Sequence, residues 1–162
     1  YGALLLQADH YAARHGLRLT LHPHVGTHVE TRAEVEAFLR DSDLPLCLDT
    51  GHLLIGGTDP LVLAREHAGR VSHVHLKDVN GAVADRVRAG EITYMQGVQE
   101  NMYVPLGDGD VPVADIVAAL EGAGYQGWYV LEQDMSLPDA APSHAAKPHH
   151  DTHRGLSHLA TI

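Results

Sequence analysis

The sequence predicts an α/β fold built on parallel strands, and three observations carry that reading. Short apolar runs of strand length alternate along the chain with helical patterns. Each of four such runs ends in polar residues drawn from His, Asp, Lys and Glu. His22, Asp49 and His75 also follow one another at nearly equal spacing, as the ends of successive βα units do. Four units make half of a parallel (β/α) barrel of TIM type, which takes about 250 residues when complete.

Each element has its own local reason. The stretch "YGALLLQADHYAARHG" reads as a helix, with Leu4, Leu5, Ala8, Ala12 and Ala13 near one face and Gly16 as a stop. Residues 17–24 ("LRLTLHPH") alternate as a strand does, up to the interruption at Pro23. "TRAEVEAFLRDS" carries a capping box, Thr31 with Glu34 three positions on, ahead of a helix. Residues 44–50 ("LPLCLDT") are almost continuously apolar, the signature of a strand buried on both faces. "DPLVLAREHAG" is a helix with Asp59 as cap, Pro60 in its first turn and Gly69 at its end. A third strand covers residues 70–79. Residues 80–112 are irregular, with one or two short helices and then the turn "LGDGDVP", read as a turn plus a helix cap. "VADIVAALEGAG" is helical and residues 127–134 form the fourth strand. The expected division is a half-barrel over residues 1–135 and an Ala/Pro/His-rich, loosely ordered tail over 136–162. That tail could close on a short helix within "DTHRGLSHLATI", which Gly155 weakens.

Composition narrows the function. The 162 residues suit one domain, and no apolar run approaches the roughly 20 residues needed to span a bilayer. A formal charge of −10 opposes general nucleic-acid binding. Cys47 has no partner for an intrachain disulfide, which with the absence of a secretion signal fits a reducing, cytoplasmic setting. A half-barrel leaves open sheet edges. Together with a start at Tyr1 directly in a helix, this predicts either a missing N-terminal half or a partner supplying it, a second copy included.

Strand ends in a parallel sheet surround the ligand site, and alternation tests which side chains share a face. His22 and His24 match in parity, as do His73, His75 and Lys77, and as do Glu132 and Asp134. If these sets point inward, His22, Asp49, His75 and Glu132 converge and suit a divalent cation such as Mn²⁺, Co²⁺, Zn²⁺ or Mg²⁺. Such an ion acidifies a C–H beside a carbonyl, and Lys77 is placed to stabilise an enolate oxygen. Blander roles compete. Asp49 could simply cap a helix, and Lys77 could pair with Asp78 at the surface.

The segments "LTLHPHVGTHVET", "LCLDTGHLLIGG", "VSHVHLKDV", "PLGDGDV" and "GYQGWYVLEQD", in this order, resemble the sugar phosphate isomerase/epimerase superfamily of xylose isomerase-like TIM barrels, and within it the inosose dehydratase branch. The resemblance covers roughly residues 1–135 and corresponds to the C-terminal half of the barrel. It implies metal ligands at Asp49, His75 and Glu132, and substrate or proton-transfer roles for His24, His52 and Lys77. Many relatives carry Glu where this chain has His22. Either His22 replaces that group or the metal is held differently, which speaks against plain ketose epimerisation. The expected activity is that of a metal-dependent lyase acting on a small sugar or cyclic polyol: enolate formation beside a ketone, then loss of water. Two alternatives stay open, a ketose or hydroxy-acid isomerase/epimerase using the same metal, and a non-catalytic half-barrel.

Overall fold

A computed structural model describes residues 2–137, 139 and 141–162. Helix α1 (Gly2–Arg14) forms as its pattern predicts but buries none of its residues. Beyond it, residues 17–24 do not make the expected strand. They run alongside β1 (Leu46–Asp49) with a single parallel bridge, Leu21 to Leu46. Leu21 donates its N–H to the Pro45 carbonyl and accepts from the Cys47 N–H. Proline has no N–H to offer, so Pro23 on one side and Pro45 on the other cut the ladder short.

Helix α2 (Arg32–Asp41) starts at Thr31 as predicted, with Glu34 accepting the backbone N–H groups of Glu30 and Thr31. It buries Val35 and Phe38. Strand β1 is buried along its whole length and leads directly into α3 (Thr50–Ile55). Helix α4 (Pro60–Glu66) is capped by Asp59 and ends before Gly69, giving way to a 3₁₀ turn at Ala68–Arg70.

The strand expected over 70–79 is two strands. β2 (Val71–Leu76) pairs in parallel with β1, whereas β3 (Asp78–Val79) pairs antiparallel with β4 (Tyr103–Val104), an element with no sequence signal. The break falls at Lys77. There the Thr50 hydroxyl takes both backbone groups, accepting from the Lys77 N–H at 2.9 Å and donating to the Lys77 carbonyl at 2.6 Å. A side chain thus replaces the strand neighbour and lets the chain turn.

Two short helices, α5 (Gly81–Arg88) and α6 (Tyr94–Gln99), precede β4. Helix α7 (Val113–Gly122) then leads to β5 (Tyr129–Leu131), shorter than the stretch 127–134 predicted. The final segment departs most from expectation. A 3₁₀ turn at Pro142–Ala145 runs into α8 (Ala146–Leu159), the longest helix among the described residues. Gly155 is the reason it docks: with no side chain there, α8 lies directly on Leu131 of β5 and on Leu106.

Residue 21, β1, β2 and β5 therefore stand side by side, all parallel. One face of this sheet presents Leu46, Leu48, Val74 and Leu76, all fully buried in a core with Leu63, Ile116 and Leu120 of α4 and α7. The opposite face, the inside of a barrel wall, carries the polar residues. Among the described residues no helix is long and apolar enough to cross a membrane.

Candidate active site

Asp49 ends β1 fully buried, and its two oxygens do different work. Oδ1 accepts the His52 N–H at 2.9 Å and caps α3, as the cap reading required. Oδ2 faces the polar side of the sheet, 3.1 Å from His22 Nε2, 3.4 Å from His75 Nδ1 and 3.1 Å from Lys77 Nζ. Glu132, just beyond β5, places Oε2 3.3 Å from His75 Nδ1 and 2.7 Å from Lys77 Nζ. Lys77 Nζ also lies 3.0 Å from His52 Nε2 and 3.3 Å from Asp134. His24 stacks on His52 with ring centroids 3.6 Å apart. All seven residues singled out from the sequence, His22, His24, Asp49, His52, His75, Lys77 and Glu132, meet in one cluster.

The electrostatics of the cluster are unbalanced. Asp49, Glu132 and Asp134 set three carboxylates against one ammonium. Burial alone would raise the Asp49 carboxyl, but His22, His75 and Lys77 outweigh it and hold it far below the usual carboxylate range. Burial likewise opposes charge on Lys77, and Asp49 and Glu132 overcome it, so its ammonium binds its proton more tightly than a free lysine. His52, pushed down to about 3 chiefly by burial, is neutral. His75 Nδ1 is buried and makes no aligned hydrogen bond despite its two carboxylate neighbours.

An orphaned imidazole nitrogen between two carboxylates is the arrangement a divalent cation satisfies. Asp49, His75 and Glu132 each offer one ligand atom, all within 4.8 Å of one another, and so do His22, Asp49 and His52. Nitrogen and oxygen donors together suit ions of intermediate hardness. The donor set fits a metal.

Asp78 removes one of the competing blander roles. It is not a surface partner of Lys77 but is buried on the far side of the strand break. Its Oδ1 accepts the N–H groups of Val79 and Val111, and its Oδ2 those of Gly107 and Gly109, at 2.8–3.0 Å. The "LGDGDVP" turn is thus wrapped around a carboxylate. Its Asp110 accepts the N–H of Gly81 at the start of α5, whereas α7 has no side-chain cap. Thr50, Tyr94 and Tyr103 are further members of the site that sequence reasoning missed. Tyr103 Oη lies 3.4 Å from His52 Nδ1 and 3.0 Å from Tyr94 Oη. The phenols enter from the irregular stretch, where no periodicity marks a face; "DT" before "GH" was the one available hint for Thr50.

The sequence pattern of the family described as xylose isomerase-like TIM barrel matches residues 4–160. The chain belongs to this family. An inosose dehydratase of Geobacillus thermodenitrificans (strain NG80-2) is 36% identical over 134 residues, covering 81% of this chain and 45% of that protein. The rhizopine catabolism protein MocC of Rhizobium meliloti is 37% identical over 153 residues, 93% of this chain and 47% of its own length. The chain therefore spans about half the length of these relatives. Among solved structures, a xylose isomerase domain protein from Planctomyces limnophilus superposes with a TM-score of 0.64 at 21% identity, over 94% of this chain and 49% of that one. A structure of IolI protein with a bound zinc atom gives 0.63 at 15% identity, over 94% of this chain and 51% of that one. These likenesses bear on the fold, and the family match extends over the residues of α8.

Proposed function

We propose that the chain is the C-terminal half of a metal-dependent sugar or polyol barrel and that its chemistry is inosose dehydratase-like: removal of a proton beside a ketone, followed by loss of water. The convergence of the Asp49 and Glu132 carboxylates on the orphaned His75 nitrogen carries the reading, and the identity to inosose dehydratases supports the choice of substrate.

Asp49, His75 and Glu132, joined by His22, would hold the ion. A bound divalent cation supplies Lewis acidity, which polarises a carbonyl and acidifies the adjoining C–H. Lys77 stays protonated and is pinned between carboxylates, so it serves as a fixed positive charge for an enolate oxygen and not as a base. His52 cannot be the base through Nε2, which faces that ammonium. His24 can. Its Nδ1 lies 2.8 Å from the Val25 carbonyl, an acceptor, so Nδ1 carries the hydrogen and Nε2 keeps a lone pair. His24 therefore takes and returns the proton, oriented by its stack on His52. An isomerase or epimerase would share the enolate, but His22 at the end of the first wall segment is a less suitable opposing base than the second Glu such chemistry commonly uses.

Asp49→Asn and Glu132→Gln, each in the complete enzyme, test the proposal by metal analysis and by turnover of inosose, read as the diketone chromophore. Both variants are expected to lose bound metal and to lower turnover by more than the roughly 10–100-fold typical of a ligand's outer partners. Unchanged metal content and turnover in both would sink it.

A further inference from the structure

The hydrogen bonds around Lys77 run in one direction, and they end on a hydroxyl that the chemistry above does not use. An ammonium has three N–H donors and no lone pair. Four groups face those of Lys77: Glu132 at 2.7 Å, His52 Nε2 at 3.0 Å, Asp49 at 3.1 Å and, farthest, Asp134 at 3.3 Å, and the ammonium can accept from none of them. His52 Nε2 must therefore accept, which places the imidazole hydrogen on Nδ1. That hydrogen meets Tyr103 Oη at 3.4 Å. Tyr103 is buried, and the acceptor available to its own O–H among the described residues is Tyr94 Oη at 3.0 Å. Tyr94 thus accepts from inside, and its hydrogen must point away from the chain that feeds it. Tyr94 is also the least enclosed member of the series, half-buried where Lys77, His52 and Tyr103 are buried.

We propose that Tyr94 binds substrate as a one-way hydrogen-bond donor, aimed by Lys77 through His52 and Tyr103 at an acceptor oxygen, a ketone or hydroxyl, of a neutral polyol. The nature of that substrate rests on the function proposed above; the direction of the chain does not. Burial raises the phenols of Tyr94 and Tyr103 above their ordinary value, which keeps both protonated as the chain requires. The side chain also sits within electrostatic reach of Asp134, Lys77 and Asp49, so its hydroxyl borders the charged cluster. A donor here favours a carbonyl or hydroxyl oxygen and disfavours an ammonium or guanidinium group at the same place.

Two measurements on the complete, metal-loaded protein decide it. Nitrogen-15 spectra of labelled histidine should show His52 neutral with its hydrogen on Nδ1, and Tyr103→Phe should move that resonance. A hydrogen on Nε2 overturns the chain. Tyr94→Phe removes only the hydroxyl and should raise KM for inosose, and its Kd by calorimetry, about tenfold while leaving kcat within about twofold. Unchanged KM and Kd, or a loss confined to kcat, overturns the role of Tyr94. A wild-type enzyme that binds no inosose overturns the proposed substrate instead, and the His52 tautomer then decides the chain by itself.

Discussion

Asp49 shows how much a single residue at a strand end can be asked to do. One oxygen caps a helix and the other faces the charged cluster, so the cap and the place in the cluster are filled by one carboxylate. Parity made this face legible: His22, His75, Lys77 and Glu132 lie where strand alternation sends them. The same alternation sends Asp78 to the other side, away from Lys77's partners. Tyr94 and Tyr103 were beyond reach because they arrive on irregular chain. Cys47 offers a direct test at this scale. Burial first, then the negative charges of Asp49 and Glu132, pushes its thiol up to about 12, so the nucleophilic thiolate is scarce. The expected outcome at pH 8 is no reaction with a thiol reagent in the native state and one thiol titrated after unfolding in denaturant; rapid labelling of the native protein would contradict the buried placement.

At the level of elements, tertiary partners overrode local signals in both directions. Pro23 and Pro45 reduced a well-patterned strand to one bridge, while α8 formed from a composition that reads as loose. Its Pro148 lies in the first turn, where a missing N–H costs little, and Gly155 gains a close packing contact that a propensity scale counts only as a loss. The turn over residues 105–111 is held by Asp78. Gly107, at φ +92°, is the position there that a side chain would strain, and an added Cβ would also strike the His158 ring of α8. Asp78→Asn exchanges one oxygen for a donor and, with its NH2 turned to the less enclosed side, leaves the part-buried N–H groups of Gly107 and Gly109 without an acceptor, at a cost of about 1–3 kcal/mol. A lower urea midpoint with unchanged slope is expected, together with faster amide exchange at Gly107, Gly109 and Val111. A midpoint equal to wild type would mean that the turn holds itself.

For the whole molecule, periodicity was enough to reveal the repeated βα plan, because each unit buries its own apolar stripe. It was not enough to reveal β3 and β4, two-residue strands too short to show any period. Acid is expected to destabilise the fold in two stages. Unfolded, His52 titrates near its ordinary value of about 6.5; folded, burial has pushed it down to about 3. Above pH 6.5 both states are neutral and nothing is gained or lost. Between there and about 3 the unfolded chain binds a proton that the native state refuses, so stability falls with pH, by up to ~1.4 kcal/mol per pH unit. Asp49, whose carboxyl is held low, adds its own loss once pH drops below the unfolded value of about 4. Denaturant titrations at pH 7, 6 and 5 check the first stage, which His52→Gln should flatten. An identical slope in that variant would show that His52 accepts a proton in the folded protein.

The break between β2 and β3 makes the sheet a partition between two incompatible chemistries. Lys77 and Asp78 are consecutive, yet one enters a pocket rich in carboxylates and the other a nest of amide hydrogens. Each side rejects the other's residue: an aspartate on the inner side would add charge to an anionic pocket, and an ammonium among N–H donors would meet no acceptor. A one-residue slip sends every side chain to the opposite face. Gaining or losing a residue between His75 and Asp78 would therefore damage the pocket and the turn together, and no substitution on one side alone could repair both. The short connection acts as a frame lock, binding the geometry of the charged cluster to the loop behind it by counting residues.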